Sequence, residues 1–321
     1  MTLLRPLGTT GLSVAPLILG GNVFGWTIDR DKSFAVLDAF AAGGGTMIDT
    51  ADVYSVFAPG NKGGESETLI GEWLKARGRR DDVQIATKVG MAMPDGSGLS
   101  ADWIAHSVDA SLDRLQTDYI DLYYAHQDDQ ATPLEETLTA FDKLVRAGKV
   151  RAIAASNYSA SRLSEALGIS AANGLARYGA LQPGFNLVDR TGFDRALQAL
   201  CIDEGIGVAP YFSLASGFLT GKYRRGADIE GARKRIVERY ASPAAYDLLD
   251  VMDGISAEAG LTLAQIALAW LAAQPGITAP IASGTSVAQV EELIAGAGTS
   301  LTEDQLGRLT AASEAVTQQT A

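Results

Sequence analysis

A single cysteine, Cys201, stands in 321 residues, so no disulfide can close within the chain and nothing requires an oxidising compartment. Basic charge is short as well: 26 lysines and arginines face 38 aspartates and glutamates, a formal net charge of −12. A nucleic-acid binder needs a basic face, and this balance argues against that class. Long apolar runs are missing. The longest, around Ala264 to Ala273, is interrupted by Gln265 and is too short to span a bilayer. The opening MTLLRPLGTTGLSV has no signal-peptide layout. These absences lead us to expect a soluble, cytoplasmic protein with neither nucleic-acid nor membrane partners. Two phosphate-binding signatures are also lacking. GGNVFG at 20–25 does not have the GxGxxG spacing of a doubly wound dinucleotide fold. In SGFLTGKY at 216–223, Gly217 and Gly221 are too close for a P-loop, and Tyr223 stands where a magnesium-binding hydroxyl belongs.

What is present is a regular alternation. Apolar, β-branched runs at 15–20, 45–49, 82–88, 119–126, 150–156, 178–182, 206–211 and 277–282 predict strands. Amphipathic stretches at 31–42, 65–77, 100–115, 133–147, 160–167 and 192–204 predict the helices between them, with Asp31, Ser100 and Thr132 as N-caps. Such alternation implies a parallel sheet covered by helices, and at this length one α/β domain, a (β/α)8 TIM barrel over residues 1–321. LRPLGTTGLSVAP predicts an N-terminal β-hairpin, and the segment from Leu214 to about Gly260 a long loop insertion after strand 7.

The stretch GTMIDTADVY, 45–54, carries a conflict: a core strand ends in an acid and, five residues on, a phenol. In a barrel the strands' carboxyl ends form the active site. Read in order, those ends supply Asp49 with Tyr54, then Lys88, His126, Ser156 with Asn157, Gln182, Tyr211, and Ser283-Gly284-Thr285. An acid, a phenol, an amine and an imidazole therefore share one mouth. An ammonium beside a phenol favours the phenolate and lowers its pKa, Asp49 can hold Lys88 charged, and His126 can orient a carbonyl.

GTMIDTADVY, ATKVG (86–90), YYAHQDD (123–129), ASNYS (155–159), LQPGFN (181–186) and LASGFLTGKY (214–223) together resemble the aldo-keto reductase family, in its order and spacing. The resemblance implies a nicotinamide cofactor bound without a Rossmann domain and a small carbonyl or alcohol substrate. It implies a catalytic tetrad in which Tyr54 donates the proton, Lys88 lowers its pKa, Asp49 pairs with Lys88, and His126 positions the carbonyl oxygen. Ser156, Asn157 and Gln182 match the carboxamide contacts, and Tyr211, followed by Phe212, the stacking aromatic. Leu214, Ser216, Lys222 and Arg233 match the pyrophosphate side. Ser283, Thr285, Gln289 and Glu292 match the adenosine-phosphate segment. Thr285 and Gln289 replace arginines found in some subfamilies, and the pattern is similar to that of voltage-gated potassium-channel β subunits. The resemblance favours NADP(H), with NAD(H) as the alternative.

Several residues have plainer readings. His106 sits in a helical pattern and reads as a surface residue. Asp128 and Asp129 have no second His or Cys beside them, so they read as loop acids and no metal site is expected. Trp26, after the first barrel strand, is a candidate substrate-pocket wall. Two rival functions remain. A Schiff-base aldolase would use Lys88 but has no use for Asn157, Gln182 and Tyr211. A nicotinamide-binding redox-sensing subunit would keep the same residues with little turnover.

Overall fold

A computed structural model of the chain describes residues 3–230 and 234–320. The expected hairpin is β1 (Arg5–Pro6) antiparallel to β2 (Ser13–Val14). Eight strands then alternate with helices as the sequence predicts: β3 (Ile18–Gly20), β4 (Met47–Asp49), β5 (Gln84–Val89), β6 (Ile120–Ala125), β7 (Val150–Ser156), β8 (Tyr178–Gln182), β9 (Gly207–Val208) and β10 (Ile281–Ala282). All are parallel, in the order β10-β3-β4-β5-β6-β7-β8-β9. The ends of that row meet. Val208 bridges Ile277 in parallel, and the amides of Thr278 and Ile281 donate to the carbonyls of Val208 and Pro210 at 2.8 and 2.9 Å. The sheet is thus closed into a barrel, as a (β/α)8 architecture requires.

Helices α1 (Arg30–Ala42), α2 (Glu65–Arg77), α3 (Ala101–Leu115), α4 (Leu134–Arg146), α5 (Ala160–Asn173) and α6 (Arg195–Asp203) cover the outside. Ser100 caps α3 as expected, but two other caps differ. Asp29, extended at ψ 179, accepts the Lys32 amide and starts α1, which leaves Asp31 in the first turn. Thr132 caps nothing: its hydroxyl donates to Asp129, and Pro133 begins α4 without a side-chain cap. Helix α5 runs on past Leu167 to Asn173 and ends at Gly174, whose left-handed backbone (φ +62) caps it. Helix α6 starts later than expected, at its Asp194 cap.

The segment after β9 is less a loop than expected. It contains a 3-10 turn (Ala215–Thr220), the short α7 (Lys234–Val237) and the seventeen-residue α8 (Pro243–Ala259). Its basic cluster is tied down by ion pairs, Arg224 to Asp253 and Arg225 to Asp247 of α8. Beyond it come α9 (Leu263–Ala272), α10 (Val287–Ala297) and α11 (Glu303–Thr320), which packs on α8. The longest apolar run of the sequence is α9, buried in the core, and no single helix among the described residues is long and apolar enough to cross a membrane.

Two apolar layers follow from parallel strands buried on both faces. Outside the sheet, large side chains such as Trp73, Phe141 and Trp270 pack under the helices. Inside, space is short, and Ala86, Ala152, Ala154, Ala180, Ala209 and Ala279 fill it with Ile18, Met47, Leu122 and Tyr124. Leu7 and Val14 belong to the inner cluster, so the hairpin plugs one end of the barrel. Gly8 makes that seat possible: at φ +57, a Cβ there would lie 2.1 Å from the Gly207 nitrogen. The opposite end, where the strands finish, is left to polar groups.

Candidate active site

Strand pairing sets the geometry of the mouth. Asp49 sits opposite Ala86 at the end of β4, Lys88 opposite Tyr124 near the end of β5, and Ser156 opposite Gln182. Lys88 is fully buried, and its ammonium has three donors. All three are used: Nζ donates to Asp49 Oδ2 at 2.7 Å, to the Thr50 carbonyl at 2.7 Å and to the Tyr54 hydroxyl at 2.8 Å. Gln182 Nε2 donates to the other Asp49 oxygen at 2.8 Å, so that buried carboxylate is held at both oxygens. The Tyr54 hydroxyl in turn reaches Asp49 Oδ2 at only 3.3 Å, a long contact for an O–H donor. Its proton is therefore weakly committed within the protein.

The Tyr54 ring keeps part of its surface open to the mouth and stands edge-on to His126, with centroids 6.0 Å apart. Its phenol lies well above the ordinary range, the opposite direction from the one expected from Lys88 alone. Burial is the main cause, followed by the Asp49 charge and hydrogen bond. The Asp49 charge offsets the Lys88 charge, and the phenol stays protonated. Burial also lowers Lys88, against Asp49, Asp52 and Glu67, which raise it. His126 is pushed well below its usual range by burial and then by Lys88. It is a neutral imidazole, and its buried Nδ1 has no partner among the described residues. This arrangement can offer a carbonyl oxygen a protonated phenol and a neutral imidazole N–H.

Beside these four groups lie the other predicted residues. Asn157, at φ +58, donates from Nδ2 to the His126 carbonyl at 2.9 Å and to Ser156 Oγ at 3.1 Å. The Tyr211 hydroxyl donates to Asn157 Oδ1 at 2.8 Å, and Ser156 Oγ donates to the Gln182 carbonyl at 2.7 Å. Gly184 permits this: a Cβ there would press to 3.1 Å on the Tyr211 ring. Phe212, Ala215 and Ser216 all have positive φ, a conformation that costs non-glycine residues about 1–3 kcal/mol each and clusters at ligand clamps. Lys222 folds over Gly217 in the same turn and brings an ammonium to it. Leu214 precedes that turn; Arg233 lies outside the described residues.

Ser283, Thr285, Gln289 and Glu292 gather at the start of α10. Gln289 Oε1 accepts from both the amide and the hydroxyl of Thr285, at 2.8 and 3.0 Å, and Glu292 lies about one turn further along. Ser283 donates to Asn22 Oδ1 at 2.6 Å. Asn22 and Asn186, whose Nδ2 donates to the Phe212 carbonyl at 3.0 Å, escape sequence reasoning, although Asn186 ends the LQPGFN stretch. Trp26, in the loop after β3, packs edge-on at 4.6 Å against Phe57, three residues beyond Tyr54 in the neighbouring loop. Phe57, 56% exposed, also goes unnoticed in the sequence. His106 is a surface residue near Asp95; Asp128 pairs with Arg162, and Asp129 accepts from the loop amides of Leu99 and Ala131. No metal-binding group of three or more His, Cys, Asp or Glu occurs among the described residues.

Known proteins share much of this sequence. The profile of the Aldo/keto reductase family matches residues 16–314. A probable voltage-gated potassium channel subunit beta of Arabidopsis thaliana is 34% identical over 301 residues, which cover 90% of this chain and 89% of that one. The oxidoreductase YrpG of Bacillus subtilis, uncharacterised by its own description, is 34% identical, covering 94% and 93%. The protein tas of Escherichia coli K12 is 31% identical, with 96% of each chain covered.

Proposed function

The chain belongs to the aldo/keto reductase family and is an oxidoreductase of that type, and on this premise we propose that it reduces aldehydes or ketones to alcohols, reversibly, with NADP(H). The observation that carries the reading is the Tyr54 hydroxyl: held at 2.8 Å by the Lys88 ammonium, it has a weakly bound proton and a neutral His126 beside it. A dihydronicotinamide, when bound, would supply the hydride. Tyr54 then gives its proton to the carbonyl oxygen, which His126 steadies by hydrogen bonding. Lys88 stabilises the phenolate left behind, and Asp49 fixes Lys88 while Gln182 fixes Asp49. Asn157, Ser156 and Gln182 offer amide and hydroxyl partners for a carboxamide, and Tyr211 and Phe212 an aromatic wall. The positive-φ turn beside Lys222 suits a pyrophosphate, because the Lys222 ammonium favours an anion there. Steady-state oxidation of NADPH and NADH with a panel of small and aryl aldehydes tests the reading. Turnover supports it; tight cofactor binding with no turnover on any carbonyl contradicts it.

That second outcome would favour a nicotinamide-binding redox-sensing subunit, and similarity to a probable channel subunit beta supports the regulatory-subunit part of that reading. A Schiff-base aldolase finds no support, since every Lys88 donor is engaged and the amine has no open face toward a carbonyl.

Two specificity residues follow. Trp26 and Phe57 form an apolar wall that fits an aryl or other bulky apolar carbonyl. Phe57→Ala should raise KM for aryl aldehydes roughly tenfold, about 1.4 kcal/mol of aromatic contact, and leave short aldehydes unaffected. A uniform change for both would place Phe57 outside the pocket. At the other end, Gln289→Arg should tighten NADPH binding roughly tenfold, because a charged donor to phosphate is worth about 1.5–3 kcal/mol. NADH should bind as before; unchanged NADPH affinity would mean the start of α10 is not the adenosine-phosphate site.

A further inference from the structure

Behind Lys88, on the helix side of β5, lies a second set of buried charges that the reaction described above does not use. Glu67 of α2 is wholly buried: its Oε1 accepts from Thr87 and its Oε2 from Arg114 Nε at 2.7 Å. Asp49 is likewise held at both oxygens. Asp52 differs. It is 2% exposed, and among the described residues no donor meets hydrogen-bond geometry at either of its carboxyl oxygens. The amide of Val53 lies near without reaching that geometry. The groups that face Asp52 are Glu67 from α2, Arg114 from α3, Lys88 from β5 and Tyr123 from β6, whose own buried hydroxyl has no partner among the described residues. Its main chain is tied to the same strand, with the Asp52 amide donating to the Lys88 carbonyl at 3.3 Å.

The cluster therefore holds three acids, Asp49, Asp52 and Glu67, against two cations, Lys88 and Arg114. Both cations are already paired, one to Asp49 and one to Glu67. A third buried anion without donors is strongly disfavoured, so the unpaired acid is the one that keeps its proton. We propose that Asp52 is a positioning residue held as the neutral carboxylic acid, and that once it ionises its charge helps keep Lys88 an ammonium. Burial and then Glu67 push Asp52 up to about 8, against smaller opposing pulls from Val53, Arg114 and Lys88. An ionised Asp52 acts on Lys88 in the raising direction, against the lowering by burial. The Lys88–Tyr54 contact is thereby carried to higher pH. The inference rests on the proposed reductase activity only for its catalytic readout.

The tests combine spectroscopy, stability and rate. Infrared titration of the wild-type protein should show a carboxylic-acid C=O stretch at neutral pH that disappears as pH rises through about 8, and that is missing from Asp52→Asn. For stability, the unfolded chain ionises Asp52 near 3.8 while the folded chain holds the proton to about 8, so the folded state binds the extra proton across that window. Wild-type stability then falls with rising pH over that window and is level above it. The Tm advantage of Asp52→Asn should accordingly grow between pH 5 and 8 and then stay constant. In carbonyl reduction, Asp52→Asn should match wild type at neutral pH and lose activity about one pH unit earlier on the alkaline side, with Asp52→Glu restoring the profile. Absence of the carboxylic-acid band, or a pH-independent Tm difference, overturns the neutral acid. A titrating band with unchanged alkaline rates overturns the positioning role. If wild type shows the titrating band and no carbonyl turnover, the neutral acid is supported and the reductase reading fails instead. Should Asp52→Asn not fold, Asp52→Ser takes its place in all three measurements.

Discussion

Tyr54→Phe should lower kcat for carbonyl reduction by about 10²–10⁴-fold, the usual contribution of a positioned acid, while cofactor affinity changes less than about twofold. The ring stays, so the edge contact with His126 and the packing beneath it survive. Lys88 still donates to Asp49 and to the Thr50 carbonyl, so the buried ammonium remains satisfied at two of its three donors. Only the proton is gone. Comparison of cofactor binding with single-turnover rates separates the two effects: equal losses in both would mean Tyr54 shapes the pocket and gives no proton.

Lys88→Met should remove activity and also destabilise the fold, by about 3–5 kcal/mol, the cost of stranding one partner of a buried pair. The partner is Asp49, 2% exposed, which would keep the Gln182 donor and the long Tyr54 contact but no cation. The double variant Asp49→Asn/Lys88→Met should recover much of the stability, because a neutral amide no longer needs a cation, and none of the activity. A double-mutant cycle on Tm and denaturant midpoint measures that coupling. If Lys88→Met alone were as stable as wild type, the pair would be an ordinary exposed one. Full activity in the double variant would contradict the role of Lys88 in holding the phenolate.

Much of this was legible in the chain because strand ends and polar groups coincide there. β7 and β8 have the bounds of their apolar runs, and Asp49, Lys88, Ser156 and Gln182 all stand at or next to the last residue of a buried strand. Alternation alone predicts the barrel, and the barrel predicts the mouth. Caps were less legible: Asp29 and Asp31 are both good capping residues two apart, and only the extended backbone at Asp29 chooses between them. The direction of the Tyr54 shift was not legible at all. The sequence shows that Lys88 and Tyr54 face the same mouth, but the burial that raises the phenol most is built by strands far apart in the chain, and the nearby Asp49 adds to it. Asp52 is the same case in sharper form. In GTMIDTADVY it is one acid among polar neighbours, and its distinction, the lack of a hydrogen-bonding donor among the described residues, exists only once α2, α3, β5 and β6 have closed around it. Asn22 reaches Ser283 across 261 positions, a separation no local pattern reports.

The most direct test of the central claim follows the transferred hydrogen. The protein is incubated with NADPH carrying deuterium at both positions of the reactive nicotinamide carbon, together with an aryl aldehyde, and the alcohol is analysed by mass spectrometry. The account predicts one deuterium per alcohol, bonded to the former carbonyl carbon, in wild type, and almost no alcohol with Tyr54→Phe. Alcohol formed without deuterium, or formed equally well by Tyr54→Phe, would contradict it.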